Sequence, residues 1–205
     1  MTFKSCVLEL VLLFGLAVRG TKKSEVLMSA PRVVVVMGVS GTGKSTVGTL
    51  LAEELGVPYA EADAFHPPAN IEKMSAGTPL DDTDREPWLD AIGAWALTRT
   101  GNGPGLQGVV SCSALKRAYR DRLRAAAPRL FFLHLNGARD LIAGRLSERR
   151  DHFMPDALLD SQFAALEPLE RTESGALLDV AAKPGELVAE AVRLLREAEA
   201  EARTG

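Results

Sequence analysis

The chain is poor in cysteine, in lysine and in net charge. Its two cysteines, Cys6 and Cys112, are too few for a disulfide framework, and neither sits at a metal-ligand spacing. With a net charge of −3 it has no broad basic surface of the kind nucleic acids require. Its longest N-terminal apolar run, Leu10–Val18, would extend about 14 Å as a helix, half of a ~30 Å hydrocarbon core. No membrane span is therefore expected. Asn70, Asn102 and Asn136 are not followed by the N-K-x-D pattern that reads guanine, no L-S-G-G-Q signature occurs, and no two glycines are adjacent. No internal repeat is seen. What remains is ordinary for a globular domain: 46% apolar and 25% charged over 205 residues, enough for one large core.

Residues 1–27 stand apart in composition. They hold three lysines (Lys4, Lys22, Lys23) against four in the other 178 residues, and one alanine, Ala17. The segment reads as an extension, disordered or a wrongly placed start, with Met28 opening the domain that runs from 28 to 205. A signal peptide is the competing reading, from Lys4, the apolar run, and Gly15 and Ala17 at cleavage-like spacing. Glu9 interrupts the apolar core and opposes it, so a cytoplasmic protein is expected.

Beyond that point strands and helices alternate. Arg32–Met37, with four successive valines, suits a strand buried on both faces. Ser45–Leu55 reads as a helix stopped by Gly56. A short strand follows near Val57–Glu61, and four prolines mark 64–88 as loop-rich. Helices are predicted over Trp88–Thr100, Leu115–Ala127, Ala138–Arg149 and Pro155–Leu166, and strands at Gln107–Cys112, Leu130–Leu135 and Ala176–Val180. A closing helix carries Leu187, Val188, Ala191, Val192 and Leu195, and frays after the last of these. This order predicts a parallel sheet covered on both faces.

Between the first strand and first helix lies Gly38-Val39-Ser40-Gly41-Thr42-Gly43-Lys44-Ser45, a complete G-x-x-x-x-G-K-[ST] loop. Glycines let backbone N–H groups turn toward phosphate oxygens, and the helix that follows adds its positive end. Lys44 can reach the β- and γ-phosphates, and the Ser45 hydroxyl suits Mg²⁺. The loop, with Thr46 next in the helix, points to ATP and leaves the acceptor open. The third strand ends in Ser111-Cys112-Ser113, where many such proteins place an acid. The acid must come from elsewhere, and Glu61-Ala62-Asp63 at the second strand's end is nearest.

Four separated blocks then narrow the class. They are Asp63-Ala64-Phe65-His66-Pro67 with Asn70-Ile71-Glu72-Lys73-Met74 and Gly77 to Leu89; Cys112 to Lys116 with Tyr119-Arg120-Asp121; Arg145-Leu146, Arg149 and His152-Phe153; and Ser161-Gln162-Phe163 with Leu166-Glu167-Pro168. Together they resemble the gluconokinase family of small P-loop sugar-acid kinases, over roughly Val33–Val192. Asp81 departs from the asparagine usual there. The resemblance implies a nucleoside-monophosphate-kinase-like α/β fold with a five-stranded parallel sheet and helices on both faces. It also implies ATP- and Mg²⁺-dependent phosphorylation of D-gluconate to 6-phosphogluconate, and often a homodimer.

Gluconate needs cations for its carboxylate and polar partners for its hydroxyls. His66, Asn70, Lys73, Asp82, Asp84, Arg85, Lys116 and Arg120 are the candidate acceptor residues, against the plainer reading of solvated loop and basic helix surface. Asp63 is the candidate general base, with a magnesium-bound water as its second candidate role and a strand-end cap as the alternative. Arg145 and Arg149, in an expected lid near 145–155, would hold ATP, or else pair with Glu148 or Asp151. His152 reads as a lid hydrogen-bonder. Two other functions stay open: a kinase for shikimate or a nucleoside monophosphate, and an ATP-binding module with no acceptor.

Overall fold

The structure is a computed structural model that describes residues 30–100, 105–147 and 156–204. The 1–27 extension, Arg149, His152 and residues 148–155 of the expected lid lie outside the described residues.

Five parallel strands form the sheet in the order β2-β3-β1-β4-β5. β1 (Val33–Met37) is followed by α1 (Lys44–Leu55), β2 (Tyr59–Glu61), a 3-10 turn (Ala62–Phe65), α2 (Pro68–Ser75) and α3 (Asp82–Thr100). β3 (Gly108–Ser111), α4 (Arg117–Ala126), β4 (Leu130–Asn136), α5 (Arg139–Ser147), α6 (Asp156–Ala165), β5 (Gly175–Asp179) and α7 (Pro184–Thr204) complete it. The central strand, β1, pairs Val33–Val36 with Gly108–Ser111 on one side and Val33–Met37 with Leu130–His134 on the other.

Successive residues of β1 face opposite layers, and all five are fully buried. Val34 and Val36 pack with Val47 and Leu51 of α1, Ile142 of α5, and Leu187, Ala191 and Leu195 of α7. Val33, Val35 and Met37 pack with Trp88, Leu89 and Ile92 of α3 and Leu123 of α4. Burying one such side chain contributes about 1.5–3 kcal/mol, so this valine run forms the axis of two cores.

Two readings of the sequence need correction. Segment 64–88 holds α2 and the first turns of α3 rather than loop. Pro68 begins α2, where its missing N–H costs nothing, and Pro87 lies inside α3. The chain after Leu195 does not fray: α7 continues to Thr204, with Arg193 bridging Glu190 and Glu197 on its exposed side.

The connection leaving β1 runs toward β2, whereas that leaving β3 crosses to β4 on the far side of β1. The connections therefore part at the carboxyl ends of β1 and β3. Open α/β sheets bind ligands in such a crevice.

Candidate active site

The phosphate loop fills this crevice. Gly38 adopts φ 140°, and a Cβ there would come within 2.5 Å of the Leu135 carbonyl oxygen. Gly41 adopts φ 84°, and its Cβ would meet Leu146 of α5 at 2.7 Å. Both positions therefore demand glycine. Inside the loop the Thr42 hydroxyl donates to the Val39 carbonyl at 2.9 Å, and Lys44 Nζ donates to the same oxygen at 3.0 Å. Gly38 N–H donates to Ser113 O, tying the loop to the end of β3. The Ser45 and Thr46 side chains are exposed at the start of α1. A cavity of ≈ 370 Å³ opens beside the loop, lined by Gly41, Thr42, Gly43, Thr46, Arg145 and Pro184 among others. Arg145 is held there by a 2.6 Å bond from Nη2 to Val180 O. The glycine cradle, the N-terminus of α1 and this cavity fit a nucleoside triphosphate.

Behind the loop, Tyr59 Oη donates to Glu61 Oε2 at 2.7 Å and also meets Ser111 Oγ. Burial, against the bond to Ser111, leaves the Tyr59 phenol with a raised pKa, so it stays protonated. Cys112 is fully enclosed in the field of Lys44, Asp63 and Glu61, and burial pushes its thiol up to about 12. It is no nucleophile. Glu61 lies opposite Ser111 at the end of β3 and accepts from its hydroxyl at 3.3 Å. Asp63 is exposed on the 3-10 turn after β2. The oxygen donors Ser45, Glu61 and Asp63 are hard ligands of the type Mg²⁺ takes, in the small number it uses beside phosphates and water.

The acceptor wall continues from Asp63. His66 stacks on Trp88 with centroids 4.7 Å apart and planes 8° from parallel. Trp88 is itself fixed by Nε1 donating to Ala62 O at 2.7 Å. Burial, reinforced by Arg85 and opposed by Asp63, depresses the pKa of His66, which is therefore neutral at pH 7. Farther along, Asp82 at the head of α3 accepts from Lys116 Nζ at 2.7 and 2.8 Å and from Tyr119 Oη at 2.5 Å. Arg85 lies 3.7 Å from the same carboxylate and 5.9 Å above the Tyr119 ring. The Lys116 and Tyr119 bonds hold Asp82 ionised.

Three candidate acceptor residues mainly serve the wall itself. Asn70 is buried, and its amide donates to Asp84 O at 2.8 Å and faces His66 Nδ1 at 3.3 Å. Lys73 pairs with Asp84 at 2.5 Å, fastening α2 to α3. Arg120 is the clear correction. It does not reach the crevice: it is fully buried, with Nε and Nη2 on Glu173 at 2.7 and 2.9 Å. Its remaining N–H groups hold the carbonyls of Ala114, Leu115, Glu167 and Pro168. It thereby secures the turn carrying Lys116, in which Ala114 takes a strained φ of 42°. Burial opposes ionisation of Glu173, but Arg120 and the Glu170 N–H overcome it and lower its pKa.

A residue outside the candidate set completes the site. Gln162 of α6 accepts from Ser40 N–H at 2.7 Å and donates to Ser40 Oγ at 3.2 Å.

The parallel sheet, the phosphate loop and the crevice beside it define a small-molecule kinase of the P-loop class. Residues 40–192 match the family model described as shikimate kinase. A gluconokinase of Gluconobacter oxydans (strain 621H) is 52% identical over 67% of this chain and 76% of its own. A solved gluconokinase from Sinorhizobium meliloti 1021 is 47% identical, with TM-score 0.73 over 82% of this chain and 94% of its own. An unliganded sugar kinase from Janibacter sp. HTCC2649 is 49% identical, with TM-score 0.74 over 83% and 98%. The chain belongs to the gluconokinase family, within the wider group that the shikimate kinase model describes.

Proposed function

We propose that the protein transfers the γ-phosphoryl group of ATP to the C6 hydroxyl of D-gluconate. The observation that carries this is the polarity of the cleft. Lys44 and Asp63 follow the carboxyl ends of β1 and β2, beside the phosphate loop, while Arg85, Lys116 and Tyr119 gather on Asp82 at the head of α3. An acceptor with a hydroxyl at one end and a carboxylate at the other suits that order. The relatives named gluconokinases support it.

In this reading Arg85 and Lys116 hold the carboxylate, and neutral His66 on its Trp88 platform meets a hydroxyl. Asp63 accepts the proton of the attacking hydroxyl. Lys44 and the loop amides hold the β- and γ-phosphates, and Arg145 bounds the nucleotide cavity. Mg²⁺ at Ser45, with Asp63 or its neighbour through water, would neutralise charge on the phosphates. Phosphoryl transfer is largely dissociative, so placement of donor and acceptor contributes more than the base. Among the described residues no helix is long and apolar enough to cross a membrane. A cytoplasmic site and a homodimer belong to the same reading, and sedimentation would test the second.

ADP release measured with gluconate, shikimate, AMP and no acceptor tests the assignment. Gluconate should dominate. Faster release with shikimate or AMP would overturn it, as would acceptor-independent release alone.

A further inference from the structure

Glycine-rich loops are entropically costly to hold in one shape. In this loop Val39 O is bound from within by Thr42 and Lys44, and Gly38 is tied to Ser113. Ser40, at the apex, is fastened from outside by Gln162, 122 residues away. The match is two-sided. A backbone N–H needs an acceptor, which sets the orientation of the Gln162 amide, and its NH₂ then faces Ser40 Oγ. Few other side chains offer an acceptor and a donor at that separation. The anchor is firm. Leu159 of α6 is buried in the core, and Asp160 is bridged to Arg139 of α5 at 2.6 Å. Downstream of α6, the Glu167 and Pro168 carbonyls are pinned by Arg120. On the loop's other flank, Gly41 lies against Leu146 and Ile142 of α5.

We infer that Gln162 is a positioning residue: it holds the apex of the phosphate loop in its binding shape before nucleotide arrives. Because it takes the Ser40 N–H, the phosphate donors are the amides that follow, from Gly41 onward. The inference rests on the loop binding nucleotide but is independent of the acceptor's identity. Gln162 acts on the whole cradle, so its removal weakens ADP and ATP alike and leaves the gluconate KM unchanged.

Calorimetry without acceptor tests this with Gln162→Met, which keeps the side chain's bulk and loses both hydrogen bonds, and with Gln162→Ala. Two hydrogen bonds predict Kd values for ADP and ATP raised about tenfold in both variants, with the thermal midpoint nearly unchanged. Ser40→Ala should weaken binding by itself but add nothing on top of Gln162→Met, since the two share one contact. Unchanged ADP affinity in Gln162→Met would overturn the inference, whether or not the protein is destabilised. A loss confined to ATP would also overturn it, by placing Gln162 on the γ-phosphoryl group. A raised gluconate KM with normal nucleotide affinity would move Gln162 to the acceptor side. Failure of the unsubstituted protein to bind either nucleotide would instead sink the phosphate-loop reading itself.

Discussion

The phosphate loop and the acceptor wall share one crevice but are built by opposite means. The loop is backbone: glycines at positive φ, a helix N-terminus, and side chains such as Thr42 and Lys44 folded back onto a carbonyl. The wall is made of side chains holding each other: Lys73 with Asp84, Lys116 and Tyr119 with Asp82, His66 on Trp88. The loop must bind a triphosphate whatever the acceptor, and its shape follows from a few obligatory glycines. The wall sets the acceptor, and its pairs can be exchanged one at a time.

The sharpest way to separate the halves is Asp63, which stands between them. Asp63→Asn should lower kcat about 10²–10⁴-fold, the range for losing a general base, with ATP affinity little changed. If ATP binding collapses with turnover, Asp63 belongs to the loop's metal site. If kcat survives, the base is another group.

Arg120 tests whether the wall depends on its hidden support. Arg120→Met leaves the buried Glu173 without its main partner and should cost about 3–5 kcal/mol in urea unfolding. The fraction that folds should show a raised gluconate KM with ATP affinity unchanged, because the turn carrying Lys116 loses its anchor. A raised KM at unchanged stability would return Arg120 to the crevice.

The core strand β4 gives a smaller effect, set by pH. His134 is 2% exposed, and among the described residues neither ring nitrogen has a hydrogen-bond partner. Burial, with Arg120 adding to it, brings its pKa down to about 4. Between that value and the ordinary ~6.5 the unfolded chain binds the extra proton, so stability falls as pH falls through this window, by up to about 3 kcal/mol. Glu173, with its depressed pKa, adds a loss in the same direction at lower pH. His134→Leu should flatten the stability profile between pH 6.5 and 4; an unchanged slope would assign it elsewhere.

Lys44→Ala should reduce kcat about 10²-fold, the scale of one preorganised charge contact, with folding intact. Near-normal turnover would remove Lys44 from the chemistry. The smallest expected effect concerns stability of the wall. Lys116→Met should move the thermal midpoint by about 3 °C or less, since the Lys116–Asp82 pair is solvent-screened. Its gluconate KM should rise, and an unmoved KM would leave the pair structural only.

The same contrast governs what could be read from sequence. The loop, β1 and α1 were legible because their signals are local: a glycine spacing, a valine run, a helix stripe. The wall was less so. Four prolines disguised α2 and the start of α3, although Pro68 sits where no N–H is needed and the Thr83 carbonyl that Pro87 leaves unpaired is on an exposed turn. Arg120 was misplaced because Arg117, Arg120, Arg122 and Arg124 look alike in a basic helix. Its spacing from Tyr119 and Leu123, both buried, was the signal that it faces inward. Gln162 stood in the Ser161-Gln162-Phe163 block, but nothing local showed its role, because its partner is 122 residues distant.

The position of β1 also has a cost during synthesis. Its two neighbours in the sheet begin pairing at Gly108 and Leu130, far along the chain from Val33. At about 5–20 residues per second, a growing chain carries the unpaired valine strand for roughly 5–20 s before its second partner is made. Such delayed pairing slows folding and leaves a sticky edge exposed. The newborn chain therefore holds an unpaired apolar strand until β4 emerges, in contrast to the finished domain, where every residue of the same strand is buried.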